Sequence, residues 1–190
     1  MIIDESAELH ADAKQSHGMD YATYLQKGIQ ILQLDGSVVA DVSKDEDALV
    51  PALVFFALAG LANGAAQFSF RGMIFGAIVA TLLSFVMVGL LNVLARLFGG
   101  DANFLELYRS LGVAAPLFWV LAVPMLGPFL GFLAVLYYCV VAELVVERTA
   151  ELPRPNSIAV IALLVGVSLF LFLVFLALVG SLLLFRTVFS

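Results

Sequence analysis

The sequence is poor in the residues on which soluble and disulfide-stabilised proteins depend. It has one cysteine, Cys139, and charged side chains at only 13% of its 190 positions. A single cysteine excludes an internal disulfide bond, and soluble domains carry about 25% charged residues. Hydrophobic residues instead make up 63% of the chain, and the mean hydropathy is +1.07. Because a soluble fold of this size would not bury so much apolar surface, the composition predicts an integral membrane protein.

The motifs of a catalytic or metal centre are also missing. The sequence has no Gly-rich phosphate loop and no Gly-x-Ser-x-Gly nucleophile motif. Its two histidines, His10 and His17, lack the spacing of metal ligands and are expected to be solvated. Serines in the apolar stretches therefore have no histidine base. The sequence predicts no catalytic residues, no metal and no cofactor, and an enzyme is the least favoured class.

Charge is concentrated at the amino-terminal end. Residues 1–48 hold ten acidic residues against three lysines, a net charge of −7, whereas the remainder holds six arginines and five acids. Such an acidic segment disfavours nucleic acid and anionic lipid as partners. The first twelve residues also lack the basic start and apolar core of a signal peptide. The first span is therefore expected to insert as its own signal.

Residues 1–47 are predicted to form an acidic cytoplasmic tail that contains an amphipathic helix over about residues 20–34. Asp20 is a suitable cap, apolar residues recur at three- and four-residue steps, and Gly36 is a natural stop. Two placements fit this helix. It could lie in the membrane interface with its tyrosines at headgroup level, or it could dock onto the ends of the spans or onto a partner.

Apolar stretches predict an all-α membrane domain with five transmembrane helices over residues 48–190. The predicted spans are 48–70, 73–98, 111–126, 128–146 and 157–185. A short interfacial helix that begins near Phe104 is expected to lead into the third span. Only 37 residues separate Arg109 from Glu147, about 56 Å of helix against two crossings of a ~30 Å core. The hairpin 111–146 is therefore either fully spanning, which we favour, or partly re-entrant.

Small residues at four-residue steps predict where helices pack closely. They mark one face of each of the first two spans, where the absence of large side chains lets backbones approach. These positions are Gly60 and Gly64 on the first span and Gly72, Gly76, Ala80 and Ser84 on the second.

Six polar residues in or beside the spans are candidates for function. They are Asn63, Asn92, Arg96, Arg109, Glu143 and Arg148. Asn63 is expected to form an interhelical hydrogen bond, and Arg96 to extend to the interface. Glu143 lies within the fourth span, where an ionisable group is by default a functional candidate. The alternative, which we favour, is a structural ion pair with Arg148, Arg109 or Arg96.

The distribution of basic residues predicts the orientation. With five spans, five basic residues fall near the membrane on the side of the amino-terminal tail, and only Arg71 and Arg186 fall on the other. The five are Lys44, Arg96, Arg109, Arg148 and Arg154. Basic residues accumulate on the cytoplasmic side, so the amino terminus is expected in the cytoplasm, with the carboxyl terminus on the opposite side of a cell or inner membrane.

The region 97–138 carries a series of motifs found in one family of membrane proteins. They are Gly99-Gly100, Phe104, Tyr108-Arg109, Ala115-Pro116 and the stretch from Pro124 to Gly127. Together with the acidic tail, the pre-membrane helix and five clustered spans, they resemble the Yip family, the Ypt/Rab-interacting membrane proteins and their prokaryotic relatives. The resemblance covers about residues 25–185 and implies a multi-pass helical fold with little defined chemistry.

One departure from the family pattern precedes the first span. Eukaryotic members carry an aspartate-leucine-x-glycine-proline stretch there, whereas this sequence reads Asp-Glu-Asp-Ala-Leu-Val-Pro from Asp45 to Pro51. The difference favours a prokaryotic-type member.

Two functional hypotheses follow. The first is a non-enzymatic multi-pass protein that acts as a scaffold or accessory subunit of a larger membrane assembly, for example in membrane organisation or trafficking. Its contact surfaces would be the small-residue faces of the first two spans and the acidic tail, and its partners would be the lipid bilayer and either other membrane subunits or further copies of itself. The second is a small transporter or channel that uses the carboxylate of Glu143 together with Asn63 and Asn92.

Overall fold

A computed structural model describes residues 20–66, 68–101 and 103–189, with side-chain burial up to residue 178. Within these ranges the chain forms helices and turns, without a β-strand. The α-helices of this part are α1 (Tyr21–Leu32), α2 (Gly36–Lys44), α3 (Leu49–Ala66), α4 (Phe70–Leu97), α5 (Phe104–Val113), α6 (Gly127–Thr149) and α7 (Arg154–Phe189). Short 3-10 helices cover Glu46–Ala48 and Ala115–Ala122. The tail that contains His10 and His17 lies outside the described residues.

Four segments of the described chain are long and apolar enough to span a bilayer: α3 with the 3-10 helix before it, α4, α6 and α7. A fifth crossing is present if α5 and the 3-10 helix after it count as one bent span. The predicted class, an all-α multi-pass membrane protein, is confirmed.

The amino-terminal region holds two helices where the sequence predicted one. Asp20 caps α1 by accepting hydrogen bonds from the backbone of Ala22 and Thr23, 3.1 and 3.3 Å away. The chain turns at Leu34, which has a φ of +65°, and Asp35 then caps α2. The prediction that Gly36 stops the first helix was wrong, because Gly36 begins the second.

The predicted third span, 111–126, is not one straight helix. The chain bends by 42° between α5 and the 3-10 helix Ala115–Ala122, and the predicted boundary at residue 111 falls inside α5. Pro116 accounts for the break, because its ring disfavours α-helical geometry at the preceding residue and it has no backbone N–H to donate. The predicted interfacial helix and third span are therefore two arms of one bent unit.

The last two helices are longer than their predicted spans of 128–146 and 157–185. Helix α6 carries Pro128 and α7 carries Pro155 in the first turn, where a missing N–H is tolerated. Helix α7 has 36 residues, about 54 Å, which exceeds a ~30 Å hydrocarbon core.

The core of the bundle is centred on Tyr108 of α5, which is fully buried. Its ring stacks on Phe85 of α4 with centroids 4.6 Å apart and lies 5.4 Å from Phe56 of α3. Phe104 packs on the same ring at 5.7 Å. Helix α5 is therefore an internal element held by α3 and α4, rather than a helix lying on the membrane surface.

Candidate functional site

The predicted small-residue faces meet each other inside the molecule. A Cβ atom at Gly60 would lie 2.1 Å from the carbonyl oxygen of Gly76 and 2.7 Å from the Cβ of Ala80. A Cβ atom at Gly64 would lie 2.4 Å from the backbone nitrogen of Met73 and 2.5 Å from the carbonyl carbon of Gly72. The backbones of α3 and α4 are thus in direct contact. These faces therefore pack against each other within the chain.

Ser84, the last residue of the predicted face on α4, has a different role. Its hydroxyl donates to the Thr81 carbonyl at 2.7 Å and shares a hydrogen bond with the Tyr108 hydroxyl at 2.9 Å. Both Ser84 and Tyr108 are buried, so this bond satisfies the only polar group of the central ring and joins α4 to α5.

Helices α1 and α2 pack against α5. A Cβ atom at Gly28 of α1 would lie 2.2 Å from the Val113 carbonyl oxygen at the end of α5. The Ser110 hydroxyl donates to the carbonyl of Val39 in α2 at 3.4 Å. Arg109 donates from Nη1 to the Ser43 carbonyl at 3.1 Å. These contacts favour docking over the alternative of a helix held only by lipid.

A charged cluster fastens α1 to the chain that follows α2. The Tyr24 hydroxyl donates to Asp45 at 2.8 Å, and Lys27 lies 3.4 Å from Asp45 and 3.6 Å from Asp41. Burial, followed by the hydrogen bond to Asp45, raises the pKa of Tyr24 to about 12. The phenol therefore stays protonated and keeps donating across the physiological range.

Glu143 forms its ion pair with a residue that the sequence placed in a loop. Arg154 Nε lies 3.7 Å from Glu143 Oε1, and the Ser157 hydroxyl donates to the same oxygen at 3.1 Å. The expected partners Arg148, Arg109 and Arg96 were wrong. Arg154 is the first residue of α7, so the bond joins α6 to α7.

Among the described residues, none of the other predicted polar residues forms a hydrogen bond or ion pair with Glu143. Arg148 lies against Gly36, where a Cβ atom would be 2.7 Å from its Nε, and Arg96 is exposed near the end of α4. Within the described part, Asn92 Oδ1 and Arg109 Nε are buried without a hydrogen-bond partner. In the part of the chain that the structure describes, no group of three or more histidine, cysteine or acidic side chains is arranged so that it could hold a metal ion.

A large cavity lies within the bundle, between the α3–α4 pair and the α6–α7 pair. Its volume is about 860 Å³. It extends along α4 from Gly72 to Leu91, and the 3-10 helix Ala115–Ala122 contributes Phe118 and Leu121 to its wall. The lining is mostly aliphatic and aromatic, with Asn63 among its few polar side chains.

Comparison with known families agrees with this architecture. A family model for the Yip1 domain matches residues 30–177. The chain belongs to the Yip1 family. The matched Yip1 domain runs from α1 into α7 and includes α5, whose Tyr108 and Arg109 carried the resemblance. No curated protein and no solved structure matches the chain.

Sequence reasoning missed two features of this Yip1 domain. The bond between Glu143 and Arg154 could have been found from Pro155, which is favourable in a first helical turn and so allows α7 to begin at Arg154. No residue pattern in the sequence predicts the cavity, because it arises from the spacing between helices and not from a residue type.

Proposed function

We propose that this Yip1-family protein is a non-enzymatic scaffold or accessory subunit of a larger membrane assembly, and that α7 is its contact surface. The observation that carries the proposal is the exposure of α7. Every residue from Leu169 to Leu178 is exposed, all round the helix. Helix α7 packs on α4 and α6, and its only buried side chains in the described part lie between Ser157 and Ile161.

A small-residue step on α7 supports this choice of surface. Ala162 and Gly166 are one turn apart and exposed, and a Cβ atom at Gly166 would have nothing within 4 Å. Such a step lets a second helix approach closely. The equivalent steps on α3 and α4 are already occupied by each other, so α7 offers the step that a partner helix can use.

The transporter alternative receives less support. Glu143 is bonded to Ser157 and Arg154 at the end of the bundle where α1 and α2 lie. The cavity beside it is lined mainly by hydrocarbon, and an ion crossing it would lose its hydration without replacement ligands. A scaffold needs neither a polar path nor a movable proton.

The orientation is part of the proposal. Arg109 and Arg148 contact α2 through Ser43 and Gly36, so they lie at the same end as the amino-terminal helices. Because basic residues accumulate on the cytoplasmic side, we place α1 and α2 in the cytoplasm.

The test is purification of the native complex in a mild detergent, with its mass and subunit composition determined. We expect a specific membrane protein at fixed stoichiometry, and we expect Gly166→Leu to abolish its recovery because the added side chain blocks the close approach. Ala177→Leu, a small-to-large change elsewhere on the exposed part of α7, is the matched control. A wild-type chain recovered alone, or equal recovery with both variants, would refute this surface.

A further inference from the structure

The cavity is about as long as the hydrocarbon core of a bilayer is thick. Its wall along α4 extends from Gly72 to Leu91, about 28 Å of helix, and a bilayer core is about 30 Å thick. It is also open, because lining residues such as Phe75 on α4 and Phe172 on α7 are themselves exposed. A molecule that diffuses in the bilayer can therefore enter it from the side.

The volume and the lining restrict what the cavity can hold. A helix that crosses the membrane is about 10 Å wide and 30 Å long, more than roughly 2,000 Å³, so a cavity of about 860 Å³ could take it only in part. Water is disfavoured because an apolar cavity offers too few hydrogen-bond partners. Empty space is also unfavourable, since the loss of packing grows with cavity volume. A flexible hydrocarbon chain is narrow enough to enter, needs no hydrogen-bond partner and fills the empty space.

A polar group stands one turn beyond one end of the cavity. Ile161 of α7 lines that end, and Ser157 lies one turn further along the same helix. Arg154, nearly two turns beyond Ile161 and with 75% of its side chain exposed, pairs with Glu143, which also accepts a hydrogen bond from Ser157. A lipid whose chain filled the cavity would have its phosphate close to this guanidinium, which is a favourable neighbour for an anion. A headgroup with no charge would gain nothing there.

We propose that the cavity between the α3–α4 and α6–α7 pairs is a binding site for an acyl chain of a phospholipid, with the headgroup at Arg154. The bound lipid completes the packing between the two helix pairs. The proposal does not rest on the partner step at Ala162 and Gly166, because neither residue lines the cavity.

The test is retention of lipid by the purified full-length chain. The protein is incubated with palmitoyl-oleoyl phosphatidylglycerol in detergent and analysed by native mass spectrometry. We expect one lipid per chain to survive delipidating washes. Val165→Trp places an indole in the lining and should reduce retention at least tenfold. Val174→Trp is the matched control, because Val174 is on the same helix, is similarly exposed (40% against 47%) and lies outside the lining.

Equal retention in the two tryptophan variants would overturn the proposal, since the lipid would then be bound on the outer surface. Preferential retention of a neutral isoprenoid, or displacement of lipid by a second protein, would overturn the choice of occupant. If Val165→Trp does not fold, Cys139 provides a second measurement. It is the only thiol in the sequence and it lines the cavity. Phosphatidylglycerol should slow its maleimide labelling several-fold, and an unchanged rate would also overturn the proposal.

Discussion

Small residues on α3 and on α7 have opposite surroundings. On α3, Gly60 is in backbone contact with α4, whereas on α7 a Cβ atom at Gly166 would meet nothing within 4 Å. Each glycine belongs to a pair of small residues four positions apart: Gly60 pairs with Gly64, and Gly166 with Ala162. The comparison teaches that such a step marks a surface where helices can approach closely, but the fold decides whether the neighbour comes from the same chain.

The difference has a topological cause. Helices α3 and α4 are consecutive and only three residues apart in the sequence, so each is the nearest neighbour available to the other. Helix α7 is the last of the described helices along the chain; it packs on α4 and α6, and most of its described residues beyond Ile161 are exposed. A bond at one end, between Glu143 of α6 and Arg154 of α7, and a cavity further along give it a looser attachment.

The largest expected effect tests this difference directly. Gly60→Val should destabilise the purified chain by about 3 kcal/mol, because the new Cβ would clash with the Gly76 carbonyl and two packed backbones cannot easily separate. Gly166→Val should change stability by less than about 0.5 kcal/mol. Thermal denaturation in detergent, followed by size-exclusion chromatography, compares the two. Similar losses in both variants would show that α7 is packed as tightly as α3.

The second prediction concerns the edge of the tightly packed region, where α1 docks. The pKa of Tyr24 is raised from 10.0 to about 12, so the docked state holds the proton more strongly than the undocked state. The contribution to docking is complete below pH 10 and is lost as the pH rises through 12. Hydrogen exchange of α1 should therefore accelerate over that interval.

Tyr24→Phe provides the control for this titration. It should weaken docking by about 1 kcal/mol at neutral pH, because the hydrogen bond to Asp45 is lost. It should also remove the part of the pH dependence that belongs to Tyr24. If the variant loses docking over the same interval as the wild type, another group controls the transition.

Much of the fold could be predicted because long apolar runs leave few alternatives in a membrane. The helices around Gly60, Gly76 and Glu143 were found in this way, and the motif at Tyr108-Arg109 led to the correct family. The bend after α5 was missed because its apolar composition is continuous with the next segment. There the conformational restriction at Pro116 outweighed the hydrophobic pattern.

The candidate sites were harder to predict, for two physical reasons. The partner of Glu143 was missed because Arg154 was assigned to a loop, although the helix extends back through Pro155. The contact surface was assigned to α3 and α4 because a small-residue step has the same pattern whether it is buried or exposed. Only the positions of neighbouring helices distinguish Gly60 from Gly166.

The third prediction tests the attachment of α7. Arg154→Gln removes the ion pair, so that Ser157 is the one remaining partner described for the Glu143 carboxylate, which is only 15% exposed. The variant should lower the free energy of unfolding by about 1 kcal/mol. Glu143→Gln should cost less, because the exposed guanidinium is then solvated by water. Thermal stability of the two variants gives the order. A stable Glu143→Gln chain with altered, pH-dependent flux into vesicles would instead favour the transporter hypothesis.

The smallest expected effect tests whether Lys27 holds α1 through its charge or through packing. Lys27→Met removes the ion pairs to Asp41 and Asp45 but keeps an apolar side chain beside the Tyr24 ring, whose centroid lies 5.4 Å from the ammonium group. Exposed and partly exposed ion pairs contribute about 0.5 kcal/mol. Salt screens them, because the Debye length falls to about 3 Å at 1 M. The faster hydrogen exchange of α1 in Lys27→Met should therefore converge with that of the wild type at high salt. A difference that persists at 1 M salt would mean that the lysine holds α1 through contact with the ring and not through its charge.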